Sequence, residues 1–312
     1  MTNMKKIGLT ALAGTLAATS AYAGALDVSG GASVKFSSEH STEHTQNNYS
    51  MGQGITFSGS GDLDNGMSIA YSYTMSNAAF SASSLKLDMG DAGTLSFAEG
   101  TSIAGIGAYR DKMPTAGEEV WDDLGGEANG HTTFANNGTL GYAGTFGMLG
   151  VSASYNKNAS TTTSTLDGSA YSIVLSGTPS DGANVFFGIG EKSGTDKNSA
   201  TDLWTLGATY VMGATTVGMQ QTDVDVSTAN GDMERTHAAI SFAVNENLSL
   251  SYGMSVVSFE NPSLVDQEDA GIGASYTMGS MTLGGSFLTS DAVSGAAATD
   301  DSHTEISLAF AF

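Results

Sequence analysis

The chain ends ISLAFAF (306–312). Ile306, Leu308, Phe310 and Phe312 fall on one side of a period-two pattern, and Ser307, Ala309 and Ala311 fall on the other. A strand with one apolar and one small or polar face, stopping on an aromatic, is the pattern of the closing strand of an outer-membrane barrel. A soluble sheet edge shows the same alternation. The remainder of the chain has to separate the two.

The same alternation recurs throughout. Leu26, Val28, Ala32, Val34 and Phe36 alternate with Asp27, Ser29, Gly31, Ser33 and Lys35. Leu248, Leu250, Tyr252, Met254 and Val256 alternate with Ser249, Ser251, Gly253 and Ser255. Such runs span about 9–11 residues, enough for a tilted strand to cross a bilayer. The second face is Ser, Thr, Gly and Ala with a few charges, whereas a small soluble barrel fills its interior with Val, Ile and Leu. That face cannot pack dry, so it meets water while the apolar face meets lipid. Short turns at 64–66, 91–93, 147–148, 181–182, 213–214, 245–247 and 279–280 separate longer segments at 38–49, 76–81, 100–137, 157–168, 193–200, 223–234, 259–268 and 290–302. Seven short turns and eight longer loops predict an all-β, antiparallel transmembrane barrel of about 16 strands, with both termini on the short-turn side. Strands 4, 5 and 9 are weakly marked.

Residues 1–23 read as a signal peptide. Lys5 and Lys6 precede a short apolar run, and Ala21-Tyr22-Ala23 supplies a small-x-small cleavage pattern. The barrel domain is then 24–312, exported. Past Ala23 no run approaches the ~20 apolar residues of a spanning helix, so membrane insertion requires a closed barrel. There are no cysteines, which excludes a disulfide scaffold and thiolate metal sites. With 10 Lys+Arg against 32 Asp+Glu, the net charge is −22. That excludes nucleic acid as a partner, since binding it needs a basic footprint.

The leader ending AYA, the opening ALDVSGGASVKF (25–36), the acidic third long loop, the tally of 16 strands and the terminal Phe312 together resemble a general porin of the alphaproteobacterial, Rhodobacter type. The resemblance covers the whole mature chain, on pattern rather than a signature. It implies an outer-membrane, water-filled channel for passive diffusion of ions and small hydrophilic solutes. It also implies a homotrimer, with loop 3 folded inward to narrow each pore.

Loop 3 is the outlier in length, and ordered loops beyond ~12–15 residues are usually functional. Between 100 and 137 it carries Asp111, Glu118, Glu119, Asp122, Asp123 and Glu127, read as acids of a pore constriction. Its apolar residues, among them Ile106, Tyr109, Met113, Val120, Trp121 and Leu124, suit packing against a wall. An acidic extracellular flap is the plainer alternative. Strand parity assigns Lys35, Lys86, Lys192, Arg235 and His237 to the lumen face as a basic wall. Lys86 and Arg235 are the residues expected to oppose the loop acids in a transverse field. Charged rings select ions by sign, and this acidity predicts cation preference. Phe312 is expected to be read by the barrel-assembly machinery, besides anchoring at the interface.

Metal and catalytic signals are weak. His40 and His44 have HxxxH spacing in a polar loop, without the helix that would aim them together, so no metal site is assigned. No cofactor is expected: Asp223, Asp225 and Asp232, or Asp266, Glu268 and Asp269, read as solvated loop acids, with loosely bound Ca²⁺ or Mg²⁺ bridging lipopolysaccharide as the alternative. The alternatives are a substrate-specific channel, for which no track of lumen aromatics is visible beyond Phe186, and an outer-membrane enzyme. None of the five histidines lies in a G-x-S-x-G or H-E-x-x-H pattern.

Overall fold

A computed structural model describes residues 26–41, 45–110, 112–119, 122–125, 138–158, 168–193 and 200–312. The expected leader, Asp111, Val120, Trp121 and Glu127 lie outside the described residues. Sixteen antiparallel strands form one closed barrel. The first six are β1 (Asp27–Ser41), β2 (Thr45–Asp62), β3 (Ser68–Ser76), β4 (Ala79–Asp88), β5 (Thr94–Glu99) and β6 (Thr139–Phe146). Next come β7 (Leu149–Asn158), β8 (Gly168–Gly177), β9 (Ala183–Lys192), β10 (Thr201–Met212) and β11 (Thr215–Val226). The ring is completed by β12 (Met233–Ala243), β13 (Leu248–Phe259), β14 (Gln267–Met278), β15 (Met281–Asp291) and β16 (Asp301–Ala311). Each strand pairs with its neighbours in sequence, and β1 pairs with β16, so no strand edge is left unpaired.

The closing seam runs from Gly31↔Ala311 to Ser41↔Asp301. Phe312 locks its end: the Gly30 N–H donates to the Phe312 carbonyl at 2.7 Å, and the Phe312 N–H donates to the Gly30 carbonyl at 2.9 Å. The apolar side of each strand points outward. Ile306, Phe310, Tyr252, Ile272, Leu140 and Phe187 are all exposed, as are their counterparts around the ring. In water so large an apolar surface would drive association; in lipid it is the belt that a membrane barrel needs.

All seven expected short turns fall between paired strands. Two expected loops are not loops. Segment 76–81 contains only a two-residue turn, Asn77 (φ 50°) and Ala78 (φ 65°), the positive-φ pair that a tight hairpin requires. In 38–49 the β1–β2 ladder continues to His40↔Thr45. A ladder is made by backbone groups, so it persists where side chains become polar above the lipid.

Candidate functional site

Loop 3 leaves β5 at Glu99 and lies inside the barrel. A peptide chain inside a lumen must find partners for its own N–H and C=O groups, and the polar strand faces supply them. The Gly105 N–H donates to Ser152 Oγ of β7 and the Ile106 N–H to Ser172 Oγ of β8, both at 2.9 Å. Gly105 has φ +65°, and a Cβ there would collide with the hydroxyls of Ser154 and Ser172, so glycine is required for this approach. The Ile106 side chain is fully buried with Val174, Phe186, Leu203 and Val224, and Tyr109 packs against the group. Phe186 therefore belongs to the loop's seat rather than to an aromatic track; its ring centroid is 5.1 Å from that of Tyr109.

Further along, the Gln220 amide of β11 donates to the Tyr109 and Arg110 carbonyls at 2.9 and 3.3 Å, and its oxygen accepts from the Lys112 N–H at 3.2 Å. Met113 joins Leu288, with Leu124 and Ala239 beside them. The Ala116 N–H donates to Ser251 Oγ of β13 at 2.9 Å. The Gly125 N–H donates to Asp301 Oδ2 of β16 at 3.0 Å. The loop thus crosses the wall from β7 round to β16.

The charged residues divide into distinct settings. Lys35 of β1 donates to Glu118 Oε1 at 3.1 Å and to Glu305 Oε2 of β16 at 2.9 Å. Ser286 donates to the other Glu118 oxygen at 3.0 Å. Burial raises the pKa of Glu118, but the hydrogen bond and charge of Lys35, with the Ser286 hydroxyl, outweigh it and hold the carboxyl below its ordinary value. Glu118 is thus turned to the wall as an anchor. Asp122 Oδ2 accepts from the Glu119 N–H at 3.4 Å within the loop. Asp123, with φ 57°, reaches His303 of β16.

The five basic residues expected on the wall share the parity of the lumen face, but at different depths. Lys35 touches a loop acid, where Lys86 and Arg235 were the expected partners. Lys86 lines an open groove with Ser58, Ser72 and Ser84. Lys192 is exposed at the last residue of β9. Arg235 and His237 are each 1% exposed and do not front the open lumen. Parity fixes the face of a side chain but not what comes to lie over it. The expected Ca²⁺ acids also separate: Asp269 is buried on the lumen face, while Glu268 is exposed on the other. Asp223 and Asp225 share the outward face of β11.

The sequence reading missed one group. Asp301-Ser-His303-Thr-Glu305 places three side chains on one strand face, and all three are buried. The period-two rule was sufficient to find it, had β16 been extended back through Asp301.

The sequence matches the family model described as "Gram-negative porin" over residues 8–312. The chain belongs to the Gram-negative porin family. No curated protein matches its sequence. Solved structures share the porin's fold at low identity. The anion-selective porin from Comamonas acidovorans is 16% identical, with TM-score 0.70, over 92% of this chain and 100% of that one. The trimer form of OmpT, an outer membrane protein of Vibrio cholerae, is 10% identical, with TM-score 0.69, over 92% and 100%. A mutant of Rh. blastica porin is 15% identical, with TM-score 0.65, over the same shares. Family and fold make this porin an outer-membrane diffusion channel rather than an enzyme.

Proposed function

We propose that this porin is a cation-preferring general diffusion channel that works as a homotrimer, with loop 3 as its constriction. The observation that carries the preference is the state of the lumen bases. Of the five expected wall bases, Lys35 is held by two carboxylates and Arg235 and His237 are buried, which leaves Lys86 and Lys192 exposed. Against them stand Glu119, Asp122 and Asp123 on the loop, in a chain of net charge −22. An anion channel needs exposed arginine or lysine along its path. The Comamonas porin, described as anion-selective, has this fold too, so the barrel alone does not give cation preference and the side chains must decide. The trimer rests on family resemblance and on the trimer form of OmpT; sedimentation of the detergent-solubilised protein distinguishes it from a monomer. In planar bilayers under a KCl gradient, the reversal potential should report K⁺ over Cl⁻. A clear Cl⁻ preference contradicts the reading.

A further inference from the structure

We propose that Asp123, His303 and Glu305 form a site for a divalent transition ion of the zinc type, which ties the tip of loop 3 to the barrel wall. One oxygen of each carboxylate and one ring nitrogen of His303 lie within 4.8 Å of one another. Two ligands come from β16 at alternate positions on its lumen face, and the third comes from the loop. The site is therefore complete only when the loop is docked.

His303 supplies an independent observation. It is 7% exposed, and neither ring nitrogen has a hydrogen-bond partner among the described residues. An imidazole buried in that condition is costly unless something satisfies it. Its Nε2 is 3.7 Å from Asp123 Oδ2, too long for a hydrogen bond. The gap is close to the edge of a tetrahedron with zinc–ligand bonds of ~2.0–2.1 Å, roughly 3.4 Å. Lys35 donates to Glu305 Oε2 and fixes the orientation of that carboxylate beside the ring.

The donor set selects the ion. One imidazole and two carboxylates suit Zn²⁺ or a similar transition ion, with water in the remaining position. Ca²⁺ asks for six to eight oxygens and Mg²⁺ for an octahedral set. Two carboxylates also match the charge of the ion. Asp123 is exposed, which gives a route from the lumen. Occupancy brings two positive charges to the constriction and fastens the loop, so it should lower cation current.

Titration of the purified full-length porin in detergent with ZnCl₂, with MgCl₂ as control, tests the site by calorimetry. One Zn²⁺ per chain is expected, with binding weakened more than about tenfold in both His303→Gln and Asp123→Asn. Zn²⁺ should also reduce the wild-type current in bilayers at concentrations where Mg²⁺ does not, and should lose that effect in the variants. Asp123→Asn touches no strand ladder, so it keeps the test valid if His303→Gln fails to fold. Absence of Zn²⁺ uptake by the wild type, unchanged affinity in either variant, an equal response to Mg²⁺, or loss of binding in His40→Ala instead, overturns the proposal.

Discussion

The lumen faces of β2–β4 and of β7–β16 are made of the same residue types and end in different states. On β2–β4, Thr56, Ser58, Ser72, Ser84 and Lys86 all keep solvent access. On the other wall Ser152, Ser172, Thr205, Thr222 and Ser255 are buried. Hydroxyls on the first wall pair with one another across strands, Thr56 with Thr74 at 3.0 Å and Ser72 with Ser84 at 2.9 Å. On the second, Ser152, Ser172 and Ser251 also receive loop N–H groups. A serine-rich face is therefore both a wet wall and a row of sockets. Which role it takes depends on whether a peptide chain lies over it. The open channel runs beside the bare wall, and charges under the loop are withdrawn from it.

Two perturbations should erase the difference between the walls. The larger acts on the apolar seat. Ile106→Ala removes a fully buried side chain, a change that costs about 2–5 kcal/mol in packed cores. The loop should detach at its start, giving higher and noisier single-channel conductance; an unchanged trace would mean that the hydrogen bonds suffice. The smaller acts on the ionic anchor. Lys35→Met leaves Glu118 and Glu305 facing each other, at a cost on the order of 1 kcal/mol, at the low end because Lys35 is 37% exposed. Its signature is pH dependence. Glu118 has a lowered pKa in the folded protein, so its stabilising contribution is fully present above the ordinary value of 4.5 and is lost as pH falls through the lowered one. Loop docking in the wild type should hold from pH 7 down to that range. In Lys35→Met, with like charges apposed, acidification should quieten the current instead.

The barrel was legible in the sequence because a membrane strand states its two faces at every second residue. The seven short turns were legible because glycine and asparagine mark them. The hairpin at Asn77-Ala78 was not, since alanine rarely takes φ 65°. Loop 3 betrayed its inward position through Ile106, Tyr109, Met113 and Leu124, residues with no use in a solvated flap. The partners of its charges were not legible. Parity puts Lys35, Lys86 and Arg235 on one face, but it does not say what each of them meets there. Arg235 is expected to oppose a loop acid and is buried, whereas Lys35, not singled out for that role, holds two acids. The triad around His303 was hidden by the loop boundary drawn at 302, which cut Asp301 from its strand.

Lys86 and Arg235 offer the matched comparison, since each carries one positive charge on the lumen face of a different wall. The reversal potential under a KCl gradient at low salt, where screening is weak, should be compared for Lys86→Met and Arg235→Met. Lys86→Met should shift it toward stronger cation preference, and Arg235→Met should leave it at the wild-type value. An equal or larger shift from Arg235→Met would contradict the division of the lumen into a bare wall that ions meet and a covered wall that they do not.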